Sequence, residues 1–328
     1  MVHIITGCAG FIGSHLCERL LAEGEQLIGV DNLDPFYDVA LKRENLKQVE
    51  GAARRGSTTG SGENWKFLEG DITDAETYER LRKWIEHSGK PLSVIHLAAR
   101  AGVRPSIMDP VGYQKTNVEG TQYLLEFARE QGIESFIFAS SSSVYGVNPK
   151  RPWSEADHDL QPISPYASTK LSGEFLGHVY SKIFGIRFIA LRFFTVYGPR
   201  QRPDLAIRKF MTRIQREESI PVFGDGSTSR DYTYVEDTVE GIIGAMKFRE
   251  SPFEIFNLGN DHSVSLNRMI ETLEKVIGKS ARRNRRANQL GDVPHTLADI
   301  GKSREKLNYR PTVAFEEGIR RMWESRKD

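Results

Sequence analysis

Only two of the 328 residues are cysteine, Cys8 and Cys17. That is too few for a disulfide framework, and it points to a reducing, cytoplasmic setting. Long apolar runs are missing as well. None approaches the roughly 18 residues of a membrane span, and Met1 leads into strand-forming residues without a signal-peptide pattern. A dominant charge sign is also absent: 45 basic residues stand against 44 acidic ones, a formal net charge of +1. No broad field draws the chain to nucleic acid, so any phosphate must be held by local groups. No internal repeat interrupts the chain. What remains is ordinary globular composition, 39% hydrophobic and 27% charged, long enough for two domains or one large α/β domain.

Short β-branched runs alternate with longer helical patterns. Val2 to Thr6 reads as a strand, Phe11 to Glu23 as a helix and Gln26 to Asp31 as a second strand, closing a βαβ unit. Further strands are expected at Trp65 to Leu68, Ser93 to Ala98, Ser135 to Ser140 and Arg187 to Phe194. Helices are expected around Glu76 to His87, Pro110 to Gln131 and Tyr166 to Phe184. Near-continuous apolar strands separated by helices predict an α/β fold with a doubly wound parallel sheet. Beyond about residue 195 the alternation loosens and Arg, Pro and Gly become dense, as expected for a smaller α/β substrate domain capping the carboxyl ends of the strands. The Gly/Ser/Thr/Arg-rich stretch from Gly51 to Asn64 reads as a mobile surface loop.

Gly7-Cys8-Ala9-Gly10-Phe11-Ile12-Gly13 falls between the first strand and the first helix. Glycines there allow a tight turn, close approach of a pyrophosphate and close packing of helix on sheet, while the helix N-terminus offers free N–H groups. Its G-x-x-G-x-x-G spacing is one residue longer in the first step than the commonest dinucleotide fingerprint. Cys8 reads as a small turn residue. Asp31 ends the second strand, 18 residues after Gly13. A carboxylate there accepts from a ribose diol and repels a 2′-phosphate, which favours NAD over NADP. Asp71, after the third strand, has two readings: an acceptor for the adenine amine, or part of a helix start with the Thr73/Glu76 capping box.

Ser140-Ser141-Ser142-Ser143-Val144-Tyr145-Gly146 follows the fifth strand, where a doubly wound sheet faces its ligand crevice. Hydroxyls at that point can hydrogen-bond a substrate hydroxyl and the carbonyl formed when a hydride leaves. Tyr166 and Lys170, four residues apart, share one helix face. An ammonium beside a phenol favours the phenolate; lowering a tyrosine pKa by roughly three units takes about 4 kcal/mol of differential interaction.

Together the glycine turn, the serine run and the Tyr/Lys pair resemble the extended short-chain dehydrogenase/reductase family along most of the chain. The resemblance implies a Rossmann-type domain at 1–194, joined by about 231–259, that binds NAD, and a UDP-sugar domain at 195–328. It makes Ser141, Tyr166 and Lys170 catalytic. Cofactor contacts are implied for Gly7, Gly10, Phe11, Ile12, Gly13, Asp31, Asn32, Asp71, Ile72, Leu97, Ala98, Ala99, Ser140 and Phe193, as well as for Tyr166 and Lys170. His96-Leu97-Ala98-Ala99 matches the stretch under the nicotinamide half, and Asn117 matches a helix position of structural character.

Dehydratases and decarboxylases in the family resemble T-D-E-V-Y-G or T-S-E-V-Y-G, whereas Ser142 and Ser143 here supply no carboxylate. Elimination then lacks its acid and base, leaving oxidation and re-reduction. Thr195-Val196-Tyr197-Gly198-Pro199-Arg200-Gln201-Arg202-Pro203-Asp204 resembles the branch that epimerises UDP-glucuronate at C4. By that resemblance Arg202 meets the sugar carboxylate, bidentately as guanidinium does, unless it pairs with a carboxylate of its own domain. Ser141, Ser142, Ser143, Tyr166, Thr195 and Arg104 belong to the same substrate site. Phe223 lines the uracil, Arg230 holds the diphosphate and Asp292 accepts from the uridine ribose. Competing expectations are a 4-epimerase of UDP-glucose or UDP-N-acetylglucosamine, a net NAD(P)H-dependent reductase, and a non-catalytic dinucleotide sensor. The helices around 110–131 and 166–184 are long enough to form a four-helix bundle with a second copy, predicting a homodimer; their apolar positions are equally consistent with packing on the sheet alone.

Overall fold

In the computed structural model, residues 2–56, 62–88, 91–287 and 293–326 are described. The chain begins β1 (Val2–Thr6), α1 (Phe11–Ala22), β2 (Gln26–Asp31), α2 (Val39–Gly56), β3 (Trp65–Glu69), α3 (Ala75–Ser88) and β4 (Ser93–His96). Two short helices, α4 (Val103–Met108) and α5 (Pro110–Gln114), lead through a wide π turn at Lys115–Glu119 into α6 (Gly120–Glu130). Then come β5 (Ser135–Ser141), α7 (Pro165–Phe184), β6 (Arg187–Phe193), β7 (Thr195–Tyr197), α8 (Ala206–Gln215), β8 (Ser219–Phe223) and β9 (Ser229–Tyr234). The last elements are α9 (Val235–Lys247), β10 (Phe253–Leu258), β11 (Ser263–Ser265), α10 (Leu266–Ile277), β12 (Arg282–Arg286), α11 (Gly301–Leu307) and α12 (Phe315–Glu324).

Seven strands form one sheet in the order β10-β6-β5-β4-β1-β2-β3, and every neighbouring pair is parallel. Strands parallel on both sides need cover on both faces, and the buried apolar residues divide accordingly into two clusters. Strand order reverses between β1 and β4, and such a switch point opens a crevice at the carboxyl ends of the strands. The chain returns to this sheet late. After the three-stranded β11-β9-β7 sheet has begun, β10 pairs with β6 from Phe253↔Phe188 to Leu258↔Phe193. A separate core built on α8, α10 and α12, including Phe210, Met211, Ile270 and Ile319, underlies the smaller sheets.

The expected loop from Gly51 to Asn64 is corrected in its first part, since Gly51–Gly56 are the last turns of α2. Val49, Ala52 and Ala53 are buried in the same cluster as Leu20 and Leu21 of α1, and that packing outweighs the local glycine content. Positions 57–61 of the stretch lie outside the described residues. The single helix expected over Pro110 to Gln131 is interrupted by the π turn, where Asn117 braces two segments. Its Oδ1 accepts from Arg100 N, and its Nδ2 donates to Arg100 O and to Thr169 Oγ1.

Candidate active site

A cavity of about 490 Å³ opens above the switch point, running from the glycine turn and the end of β2 to the serine turn and α7. At its first end, Gly10 caps α1 without a side-chain bond, which leaves first-turn N–H groups for a ligand. Gly13 is required by close approach: a Cβ there would lie 2.1 Å from the carbonyl oxygen of Gly7. Asp31 reaches the cavity from β2, with Oδ2 accepting from Ala9 N at 3.1 Å and Oδ1 from Leu33 N at 2.9 Å. Burial raises its carboxyl above the ordinary value, and Lys42, with Nζ 3.8 Å from Oδ1, opposes that rise. An uncapped helix start, a close glycine turn and a carboxylate at the second strand fit a dinucleotide carrying a free ribose 2′-hydroxyl.

Asp71 turns the chain ahead of α3, with Oδ1 accepting from Thr73 N and Thr73 Oγ1, but the Thr73/Glu76 capping box does not form, because Glu76 N donates to Asp74 Oδ1 instead. Asp71 nevertheless lines the cavity, where its Oδ2 accepts from Asn32 Nδ2 at 2.7 Å.

The floor is set by a buried relay. Thr121 Oγ1 donates to Asn117 O at 2.6 Å, so it accepts from His96 Nε2; Thr6 Oγ1 then donates to His96 Nδ1 at 2.7 Å. Thr6 Oγ1 in turn accepts from Ala98 N, which fixes the Leu97–Ala99 backbone along the cavity. Burial and the nearby Lys170 push the His96 imidazole down to about 3, so it stays neutral.

At the second end β5 passes into a 3-10 turn, Ser142–Tyr145, whose first N–H groups are capped by Ser141: Ser143 N donates to Ser141 Oγ at 3.2 Å. Gly146 ends the turn at φ +59°, where a Cβ would lie 1.6 Å from Gln161 O. Tyr145 lies wholly buried beneath, its hydroxyl donating to Asn257 Oδ1 of β10 at 2.8 Å. Helix α7 starts beside the turn because Ser164 accepts from Ala167 N and Pro165 takes the first helical position.

Tyr166 and Lys170 project from α7 into the cavity. Lys170 is 3% exposed, and its Nζ donates to Ala139 O at 2.7 Å. The same Nζ lies 6.0 Å from the centre of the Tyr166 ring. Burial pulls Lys170 down to about 7. Burial raises the Tyr166 phenol, while a hydrogen bond with Ser141 and the charge of Arg202 lower it. On balance the phenol sits above its ordinary value, with Ser141 and Arg202 opposing the rise.

The cavity gathers Gly7, Gly10, Phe11, Ile12, Gly13, Asp31, Asn32, Asp71, Ile72, Leu97, Ala98, Ala99, Ser140, Ser141, Ser142, Ser143, Tyr166, Lys170, Phe193, Thr195 and Arg202. Among the described residues, three expected substrate residues, Arg104, Phe223 and Arg230, stand outside its lining. Arg104 is exposed and places its guanidinium 5.4 Å from the centre of the Phe223 ring. Arg230 donates to the carbonyls of Ser229 and Pro294. Asp292 lies outside the described residues. Phe36, Tyr37, Lys42, Arg100 and Thr116 line the cavity without having been anticipated. The first two had a signal. In Asp31-Asn32-Leu33-Asp34-Pro35-Phe36-Tyr37-Asp38, successive side chains of Asp31, Asn32, Asp34 and Asp38 accept from the N–H two residues on, a chain of turns that carries both aromatics over the crevice.

The sequence profile described as GDP-mannose 4,6 dehydratase matches residues 4–322. A UDP-glucuronate 4-epimerase of Thermodesulfobacterium geofontis is 40% identical over 321 residues, 97% of this chain and 94% of that one. UDP-glucuronic acid 4-epimerase from Bacillus cereus, in complex with UDP-glucuronic acid and NAD, matches with a TM-score of 0.88 and 36% identity, over 100% of this chain and 99% of its own. UDP-glucose 4-epimerase from Thermotoga maritima, with UDP-glucose, matches with a TM-score of 0.86 and 33% identity over the same shares. Likeness of this extent takes in the seven-stranded sheet and the crevice together: the chain belongs to the extended short-chain dehydrogenase/reductase family.

Proposed function

We propose that this chain is a cytoplasmic, NAD-dependent 4-epimerase of UDP-glucuronate, interconverting it with UDP-galacturonate. The observation that carries the reading is the composition of the sugar end of the cavity. Arg202 is there, paired with Asp204 outside the lining, and the lining carboxylates among the described residues, Asp31, Asp34 and Asp71, come from the end of β2 and the turns after β2 and β3, none from the serine turn or α7. A cation without an acid–base carboxylate suits an acidic sugar that is oxidised and re-reduced, and does not suit elimination. The matches to UDP-glucuronate 4-epimerases support the same substrate.

Residues 1–194, with β10 and the helix before it, hold the cofactor; most of 195–328 holds the UDP-sugar. NAD held by the glycine turn, Asp31 and the Leu97–Ala99 backbone would supply the hydride acceptor for C4 of the sugar and the donor to its opposite face. Tyr166, as phenolate, takes the O4 proton and gives it back. Ser141 steadies the phenolate and the developing carbonyl at C4, and Lys170 supplies a buried positive charge against α7. The 4-keto sugar is a β-keto acid, which loses CO₂ when the C5–carboxylate bond stands perpendicular to the ketone plane. Holding that carboxylate with Arg202 and the hydroxyls of Ser141 to Ser143 keeps it out of the reactive alignment.

The test is incubation with UDP-glucuronate, following the isomer ratio and CO₂ release. Conversion to UDP-galacturonate without net NADH or CO₂ is expected, and Arg202→Leu should weaken substrate binding and increase UDP-pentose. Turnover of UDP-glucose with none of UDP-glucuronate overturns the choice of sugar.

The chain pairs with a second copy through α6 and α7. On α7 an outward stripe of Phe175, Val179 and Ile183, spaced four residues apart, is 64%, 45% and 68% exposed. Tyr123 of α6 and Phe184 extend it. An apolar helical stripe of this length on a folded protein marks an interface, and two helices from each copy complete a four-helix bundle.

A further inference from the structure

Arg202 already holds a carboxylate. Its Nε donates to Asp204 Oδ1 at 3.0 Å and its Nη2 to Asp204 Oδ2 at 2.7 Å, the two-pronged fork that a bound sugar carboxylate would require. Nη2 donates also to Ala101 O at 3.2 Å, and the guanidinium lies over the Phe36 ring, 4.9 Å from its centre. Of the five N–H groups only the pair on Nη1 is left outside these bonds. A second carboxylate cannot take the fork while Asp204 stays in it.

The two partners sit differently in the protein. The Arg202 side chain is 16% exposed and lines the cavity, whereas the Asp204 side chain is 41% exposed and does not line it. An arginine so enclosed is costly to leave unpaired. A carboxylate as open as Asp204 can return to water at little cost, because pairs of that exposure contribute only about 0–1 kcal/mol.

We propose that Asp204 is a specificity-determining residue that occupies Arg202 in place of the sugar carboxylate and is displaced by it. This rests on UDP-glucuronate as the substrate. When an acidic sugar enters, one carboxylate replaces another and Asp204 turns to solvent. When a sugar with a neutral C6 group enters, Asp204 keeps the fork and no buried charge is left bare. The residue therefore weakens binding of the acidic substrate and lessens discrimination against neutral ones.

The experiment measures dissociation constants of the NAD-loaded protein for UDP-glucuronate and UDP-glucose by calorimetry, in wild type, Asp204→Asn, Asp204→Ser and Arg202→Leu, with thermal melts to confirm folding. Both Asp204 variants should bind UDP-glucuronate about two- to fivefold more tightly, the range of an ion pair this exposed, with no tightening for UDP-glucose. Unchanged or weaker binding of UDP-glucuronate overturns the proposal and makes Asp204 a brace for Arg202, as does equal tightening for both sugars. If Arg202→Leu loses affinity for UDP-glucuronate while the Asp204 variants match wild type, the exchange fails and the substrate reading stands. If wild type does not prefer UDP-glucuronate and Arg202→Leu changes nothing, both fall together.

Discussion

Lys170 donates its Nζ proton to the Ala139 carbonyl at 2.7 Å while standing 6.0 Å from the centre of the Tyr166 ring. The lysine is thus tied to β5, one residue before the serine run, and that bond sets the spacing between the strand and α7. Tyr166→Phe removes the proton acceptor alone and should lower kcat by about 10²- to 10⁴-fold with little change in UDP-sugar affinity. Lys170→Met should lower kcat comparably and also weaken NAD binding. Steady-state kinetics with calorimetric titration of each ligand separates the two, and equal effects of both substitutions on NAD affinity would count against the division.

Two buried bases give stability two pH windows. His96 titrates at about 3 in the folded chain, against about 6.5 when unfolded. Between those values the unfolded state binds the extra proton, so stability rises with pH across that window and is lost as pH falls through it. Lys170, at about 7 when folded and about 10.4 when unfolded, has the same sign one window higher: stability rises from about pH 7 toward 10. Urea unfolding from pH 4 to 9 should show both slopes, with Lys170→Met abolishing the upper one. An NMR titration placing the His96 imidazole near 6.5 would contradict the lower one.

The glycine turn should respond unequally to added methyl groups. At Gly13 a Cβ meets the Gly7 carbonyl oxygen at 2.1 Å, whereas at Gly10 the nearest atom is the same oxygen at 3.1 Å. Backbone cannot swing aside as a side chain does, so Gly13→Ala should cost about 1–3 kcal/mol or more and lose NAD binding. Gly10→Ala should be markedly milder. Melting temperature and NAD titration of the two variants provide the comparison.

A charge placed in the outward stripe of α7 should separate the copies. Ile183→Glu or Phe175→Glu changes residues that are 68% and 64% exposed, so the protomer itself should stay folded. Sedimentation velocity should show a dimer for wild type and a monomer for the variant. A wild-type monomer would refute the bundle.

Local signals made much of this site legible. The glycine turn, Asp31, the serine run and the Tyr166–Lys170 pair each sit at a junction whose geometry a few neighbouring residues determine, and all line one cavity. Where long-range packing decides, the chain alone says less. Gly51–Gly56 have loop composition yet stay helical because Ala52 and Ala53 are buried with α1 residues distant in sequence. Arg100, on the segment after β4, and Thr116, inside the π turn, reach the crevice by way of that turn and the Asn117 brace, neither of which has a sequence period of its own. Arg104, Phe223 and Arg230, inferred by resemblance, lie beyond the cavity lining.

The late return of β10 makes the unit built on the seven-stranded sheet non-contiguous. Until Leu258 has been synthesised, β6 carries a bare parallel edge and the Tyr145 hydroxyl has no Asn257 to receive its proton. Bare strand edges invite pairing with other chains. A fragment cut after Tyr197 therefore lacks both an edge strand and the support under its serine turn. Chimeras that exchange the region of the smaller sheets between relatives must carry residues 235–258 with the first 193 as one inheritance, because the boundary between the two regions is spatial and has no single place in the chain.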